Sequence, residues 1–307
     1  MTIPKLPILI ASLAAALAAA PAALAAFPGK NGLIAFQKSK GGLLKDIYVM
    51  QPNGSHQRDI TRTPKVSETE PSFAPNGRRI VYVWQTADYR HAGLGVMNAD
   101  GSRKRRIVSG SPDEAVMSPS WTADGKSIVY TRFQGTTPPS HVYVVSASGG
   151  TQRQLTFGDE VEDFNPVASP VTGLIAYLSY PPGSQAIELL VGLNGASAGQ
   201  AGEHEANDWS PDGKRFIFER DHDIYASASD GSGLVKLAGL PAVDETPVWS
   251  PDGRKFIFTS EANHDIYVAN ADGSGLRNLT RAPGFEHDPS WGVFVKQHKQ
   301  KRHHKRR

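Results

Sequence analysis

The residues best placed to do chemistry in this 307-residue chain are carboxylates that recur ahead of one short motif. Glu68 and Glu70 precede Pro71-Ser72-Phe73, Glu114 precedes Pro119-Ser120-Trp121, and Glu162 and Asp163 precede Pro166-Val167-Ala168. Glu203 and Glu205 precede Asp208-Trp209, Asp244 and Glu245 precede Pro247-Val248-Trp249, and Glu286 and Asp288 precede Pro289-Ser290-Trp291. Carboxylates brought together on one surface form an electronegative site for a metal cation or a Lys/Arg side chain. Whether they meet depends on how the six segments are arranged.

Other candidate chemistry is weaker. Gly195-Ala196-Ser197-Ala198-Gly199 has the spacing of a nucleophile elbow, but no strand–helix alternation surrounds it, so it reads as a loop. The Asp-Gly-Ser triplets lack the alternating acids and the twelfth-position Glu of a calcium loop, and read as turns. His222 and His264 repeat one residue ahead of Asp223 and Asp265 without the spacing of a zinc triad. The absence of Cys excludes disulfides, thiol nucleophiles and thiolate metal sites.

The elements that position the carboxylates are repeats. Turn signals recur at Ala74-Pro75-Asn76-Gly77, Thr122-Ala123-Asp124-Gly125, Ser210-Pro211-Asp212-Gly213 and Ser250-Pro251-Asp252-Gly253, with a degenerate copy ending at Gly173 and an opening one at Asn31-Gly32. The six glycines are 45, 48, 48, 40 and 40 residues apart, the period of a four-stranded propeller blade. After each turn comes a β-branched or aromatic run such as Ile80-Val81-Tyr82-Val83 or Phe256-Ile257-Phe258-Thr259, too short for a helix. A second run follows (Asp46-Ile47-Tyr48-Val49, Asp265-Ile266-Tyr267-Val268), then an Asn/Asp-Gly hairpin turn, then a strand closing in Ile60-Thr61, Leu155-Thr156 or Leu279-Thr280. Asp46, Asp223 and Asp265 share one repeat position, which predicts a structural hydrogen bond. Four of the five tryptophans share another, which predicts packing between blades.

The last motif, Pro289-Ser290-Trp291, has no unit after it, and the first unit has no such motif before it. The expected fold is therefore all-β: a six-bladed β-propeller over 26–295, closed by a C-terminal strand that becomes the innermost strand of the first blade. The acid-bearing segments then read as loops converging on one mouth of the central channel. The candidate binding residues are Glu70, Glu114, Asp163, Glu205, Glu245 and Asp288. The loops between the first two runs of each unit share that face, spanning about 38–45, 85–93, 133–140 and 179–185 in the first four units but only about 220–222 and 261–263 in the last two, an uneven rim suited to an asymmetric partner.

These motifs resemble the PD40 repeats of TolB-like six-bladed propellers. The pattern P-x-W-S-P-D-G-K/R-x-I/F-x-F, then D-I-Y-V, then D-G-S is nearly intact at 208–232 and 247–280 and weakest in the fourth unit. The resemblance covers about 30–293, the propeller part without TolB's N-terminal domain. It implies a fold shared with protein-binding envelope components and with enzymes alike.

The flanks differ from the body. Residues 1–25 carry Lys5, an apolar run from Ile8 to Ala20 and a small-x-small triplet Ala23-Leu24-Ala25, which reads as a secretory signal peptide. Residues 296–307 hold seven Lys/Arg and three His with no acid and no apolar side chain, a basic tail that cannot fold alone. Without this tail and Lys5 the chain has 25 basic residues against 30 acidic, so the body is mildly acidic. The expectation is an exported, periplasmic or extracellular, non-enzymatic and monomeric scaffold that binds an envelope protein or peptide at the mouth. The alternative is a propeller hydrolase or lyase acting on carbohydrate or peptide there. The tail is expected to meet an anionic polymer or membrane surface, or to fold back onto the acidic body. Nucleic acid is not an expected partner, and no cofactor is expected beyond a cation such as calcium in the channel.

Overall fold

The computed structural model describes residues 26–39, 42, 44–110, 114–134, 139–202, 205–240, 243–281 and 284–296. The signal-peptide reading of 1–25, Glu203 and the tail beyond Lys296 lie outside them. The described residues form six four-stranded antiparallel sheets and no helix. The order expected from the repeats is the order observed, and the body is a closed six-bladed propeller.

Blade 1 consists of Phe285–Val293, Asn31–Ser39, Lys45–Met50 and Arg58–Asp59, from the axis outward. Its innermost strand is thus the C-terminal one, which pairs antiparallel with Asn31–Ser39 in a register that includes Ile34↔Trp291 and Ala35↔Ser290. The innermost strands of blades 2 to 6 are Val66–Phe73, Glu114–Trp121, Glu162–Ala168, Asp208–Trp209 and Asp244–Trp249. Gly32 serves this closure: a Cβ there would lie 2.4 Å from the Val293 carbonyl oxygen.

Turn chemistry explains the recurrent sequence signals. The Asp212 carboxylate accepts the Ser210 hydroxyl at 2.6 Å and the Lys214 N–H at 3.2 Å, and Gly213 follows at a φ of 70°. Asp252 and Asp124 do the same in blades 6 and 3. In the outer strands Thr61, Thr156 and Thr280 accept the N–H of Ile47, Val142 and Ile266 through their hydroxyls. Asp46 and Asp265 in turn accept the Thr61 and Thr280 hydroxyls, at 3.0 and 2.8 Å. These aspartates are structural, as their repeat position implies. Ser197 does not lie in a loop but opens the outermost strand of blade 4, Ser197–Gly202, with no helix after it to build a nucleophile elbow.

Blades are held together at the tryptophan position. Trp121 and Trp249 are fully buried, and Trp209 and Trp291 nearly so. The indole N–H of Trp121 reaches back to the Ser72 carbonyl of blade 2 at 3.0 Å, and that of Trp209 to the Val167 carbonyl of blade 4 at 3.1 Å. Arg79 and Arg215 of the preceding blades lie over the Trp121 and Trp249 rings at 4.7 and 4.6 Å. The residue before the tryptophan position completes the seam by accepting the next blade's N–H: Ser290 from Phe73, Ser120 from Ala168, Asp208 from Trp249. Trp121→Ala would remove a buried ring and its indole bond together. Urea unfolding should show a loss of about 3–5 kcal/mol.

Candidate functional site

The acid-bearing segments are the first halves of the innermost strands in five blades, whereas Glu205 precedes the short strand Asp208–Trp209 in a loop, and a backbone irregularity falls on two of the carboxylates, Glu70 and Asp288. Three residues before the tryptophan position the chain adopts a left-handed conformation in five blades: Glu70 (φ 50°), Ser118 (54°), Asn165 (49°), Thr246 (52°) and Asp288 (49°). The strand pairing shifts register there in each of them. Such a bulge re-aims the side chain, and a non-glycine residue with positive φ is sparsely populated unless its surroundings enforce it. In blade 5 the corresponding residue is Ala206, and Glu205 beside it takes part instead.

These side chains meet around the axis. The Ser118 N–H donates to Glu70 Oε2 at 2.6 Å, the Ser118 hydroxyl donates to Asn165 Oδ1 at 2.5 Å, and the Asn165 amide donates to Glu205. That stitches half of the ring. The other half holds Glu245 and Asp288, with Glu70 next to Asp288. Burial pushes the Glu70 carboxyl up to about 8, and the Asp288 charge adds to the rise, against the Ser118 N–H and Lys45. Glu205 is pushed to about 7 by burial, with the Asn165 amide opposing and Glu219 adding. Glu245 reaches about 7 through burial and the charges of Glu261, Asp288 and Glu219. Burial also raises Asp288, with Lys45 opposing. Burial thus raises all four carboxyls of the ring, Glu70, Glu205 and Glu245 to about 7 or 8.

Of the six residues singled out from sequence, Glu70, Glu205, Glu245 and Asp288 come together, and Glu114 and Asp163 do not join them. Glu114 lies at the strand entrance and pairs with Arg132 at 2.6 Å. Asp163 is buried, where it accepts the Ser179 hydroxyl at 2.7 Å and lies 3.4 Å from His141 Nδ1. Glu68, Asp244 and Glu286 occupy the same repeat position and are likewise buried; Glu286 pairs with Lys38, and Asp244 accepts the Leu240 N–H at 2.8 Å. The Glu286–Lys38 pair lies within blade 1, while Asp163 reaches His141 of blade 3. Ser118, Asn165 and Lys45 were not legible as ring members, although a repeat position three before the tryptophan marks the first two.

A second group on this face joins loop and strand. Glu261 lies 3.3 Å from both His264 Nδ1 and His287 Nδ1, and one ligand atom from each of the three falls within 4.8 Å of the others. The His264 nitrogen is off the line of a hydrogen bond to Glu261. Burial holds His287 down at about 4, and Lys45 and His264 oppose its charge, with Glu261 favouring it. Two imidazoles and a carboxylate so placed suit a divalent ion. Spacing alone missed this group because His287 comes from the closing strand. Between blades 1 and 2 a cleft of about 160 Å³ is lined by Lys45, Thr69, Gln85 and Tyr89, among others. Among the described residues, the turns joining second and third strands skip only 221–222 in blade 5 and 261–264 in blade 6, against five or six residues elsewhere.

No family model and no curated protein matches the sequence. Among solved structures the chain is similar to TolB from Acinetobacter baumannii (TM-score 0.71, 18% identity, over 87% of this chain and 68% of that one). It is similar to Kuenenia stuttgartiensis hydrazine synthase (TM-score 0.71, 14% identity, over 87% of this chain and 47% of that one). It is also similar to an oligogalacturonate lyase in complex with manganese (TM-score 0.54, 10% identity, over 81% and 89%). What they share with it is the fold, and the TolB-like propeller that the PD40 repeats imply is the fold observed.

The raised carboxyls fix a sign for stability against pH. Each binds its proton more tightly folded than unfolded, so their contribution is complete below the ordinary value of 4.5 and is lost as pH rises to about 8. Glu70→Gln keeps an oxygen for the Ser118 N–H and removes the charge. The variant should show a higher urea midpoint than wild type at pH 8 and a flatter profile from pH 5 to 8.

Proposed function

We propose that this protein is an exported, non-enzymatic scaffold that takes a basic peptide segment of an envelope protein into the mouth of its propeller. The observation that carries this reading is the ring of Glu70, Glu205, Glu245 and Asp288, held by strained backbone and served by Lys45 as a nearby cation. With Glu70, Glu205 and Glu245 raised to about 7 or 8, the ring is poor in charge when empty. An arriving ammonium or guanidinium draws the remaining protons off and gains several carboxylates at once, in surroundings where charges interact more strongly than in water. The short turns of blades 5 and 6 give the peptide its approach. Export is supported by the leader-like pattern of residues 1–25.

The test is a labelled decapeptide of alternating Lys and Arg, followed by fluorescence anisotropy. Affinity should rise with pH between about 6 and 9 as the ring ionises, and fall with added salt. The double variant Glu245→Lys/Asp288→Asn should bind at least about tenfold more weakly. Unchanged affinity in that variant ends the reading.

The metal-like group Glu261, His264 and His287 supports a second reading, a metal-assisted lyase or hydrolase at the same mouth. The likeness to a manganese-bound lyase adds to it. The two readings part on one measurement. The scaffold retains peptide affinity in EDTA and leaves oligogalacturonate uncleaved with added Mn²⁺. An enzyme of the second kind produces unsaturated product, and His287→Ala abolishes it.

A further inference from the structure

The residue before the tryptophan position is a neutral seam residue in every blade but one. It is Ser72, Ser120, Val167, Val248 and Ser290 in blades 2, 3, 4, 6 and 1, and Asp208 in blade 5. One serine oxygen is enough for the seam bond, and Asp208 makes that bond with Oδ2, accepting the Trp249 N–H at 2.7 Å. Its other oxygen, Oδ1, accepts the backbone N–H of Ala26 at 2.7 Å. Both residues are fully buried. Among the described residues no Lys, Arg or His pairs with Asp208, and burial pushes its carboxyl well above the ordinary range despite the N–H donors of Trp249, Ala26 and Trp209. A buried carboxylate without a cation is costly, and a serine would serve the seam without that cost.

Ala26 is also the residue that follows Ala23-Leu24-Ala25, the small-x-small triplet. We propose that a leader peptidase hydrolyses the Ala25–Ala26 bond and that the α-ammonium so formed is the missing cation of Asp208. Water supplies the hydroxyl that completes the Ala25 carboxyl and a proton to the Ala26 nitrogen, which takes a further proton from solvent at neutral pH. The amide donor that Asp208 already holds becomes a charged donor at the same place, so the N-terminus needs no rearrangement to form a buried, charge-assisted pair. The segment after it is anchored accordingly. Ala26 packs with Ile217, Trp249 and Phe256 of blades 5 and 6, and Phe27 with a cluster containing Ala74, Trp121 and Trp209. Gly29 N–H donates to the Pro251 carbonyl at 2.9 Å, and the Lys30 carbonyl accepts the Phe294 N–H at 2.7 Å. Removal of the leader thereby completes the seam between blades 5 and 6 and ties the new N-terminus across the end of the ring opposite the carboxylates.

The inference rests on the export part of the proposed function, and the experiment separates the two. Residues 26–307 are made in the cytosol with three N-termini verified by mass: Ala26 with its initiator Met removed, Ala26 acetylated, and Ala26 extended by Gly-Ser-Gly. Each is made with Asp208 and with Asp208→Ser, the residue that blades 1, 2 and 3 use. With Asp208 the free amine should raise Tm over the acetylated and extended forms by on the order of 10 °C. With Asp208→Ser that difference should collapse, and the acetylated Asp208→Ser protein should be at least as stable as acetylated wild type. Equal Tm values across the three N-termini, or the same spread in the Asp208→Ser series, overturn the pair. The exported full-length chain should begin at Ala26 by mass. A mature N-terminus elsewhere overturns the inference while leaving export intact, and an unprocessed chain removes both.

Discussion

Every feature of this molecule depends on one contact repeated around the axis: a buried aromatic or small residue of one blade set against the residue before the same position in its neighbour. Each sheet alone would expose an apolar face, and only the next sheet covers it. Because the contacts go around a ring, none has a free end, provided that the first blade receives its inner strand. Phe285–Val293 supplies it, and Ser290 then accepts the Phe73 N–H just as Ser120 accepts that of Ala168. Closure and seam are the same interaction.

The ring also creates the conditions for its binding face. Inner strands crowd at the axis, and a regular strand would send alternate side chains into neighbouring blades. The left-handed residue in five of the six inner strands, Glu70, Ser118, Asn165, Thr246 or Asp288, breaks that alternation. At Glu70, Ser118 and Asn165 hydrogen bonds between blades hold that conformation, and at Thr246 a bond to Thr259 of the same blade does so. Burial raises the carboxyls held in that setting, and Glu70, Glu205 and Glu245 reach the range where a small electrostatic input changes their charge most.

Blade order, the turns, the closing strand and the packing role of four tryptophans were legible in the sequence because each is written as a repeat with a local cause. Asp212 and Gly213 announce their turn by chemistry confined to a few residues. The destination of each acid was not. Glu286 and Asp288 are two apart and would share a face in an unbroken strand, yet Glu286 is buried against Lys38 while Asp288 turns to the axis. Asp244 and Glu245, adjacent in sequence, part by ordinary strand alternation instead. A bulge carries no residue signature when Glu, Ser, Asn, Thr and Asp all fill it. Likewise Glu114 is claimed by Arg132 through a strand pairing that spacing does not reveal. The kinship of His287 with Glu261 and His264 appears only once the last strand lies beside the sixth blade.

The closing strand runs from Glu286 and Asp288 at one end to Val293 at the other, and the chain leaves toward Lys296 from the far end. Both ends of the described chain therefore meet at the pole away from the carboxylates, where the Gly29 N–H donates to the Pro251 carbonyl and the Phe294 N–H to the Lys30 carbonyl.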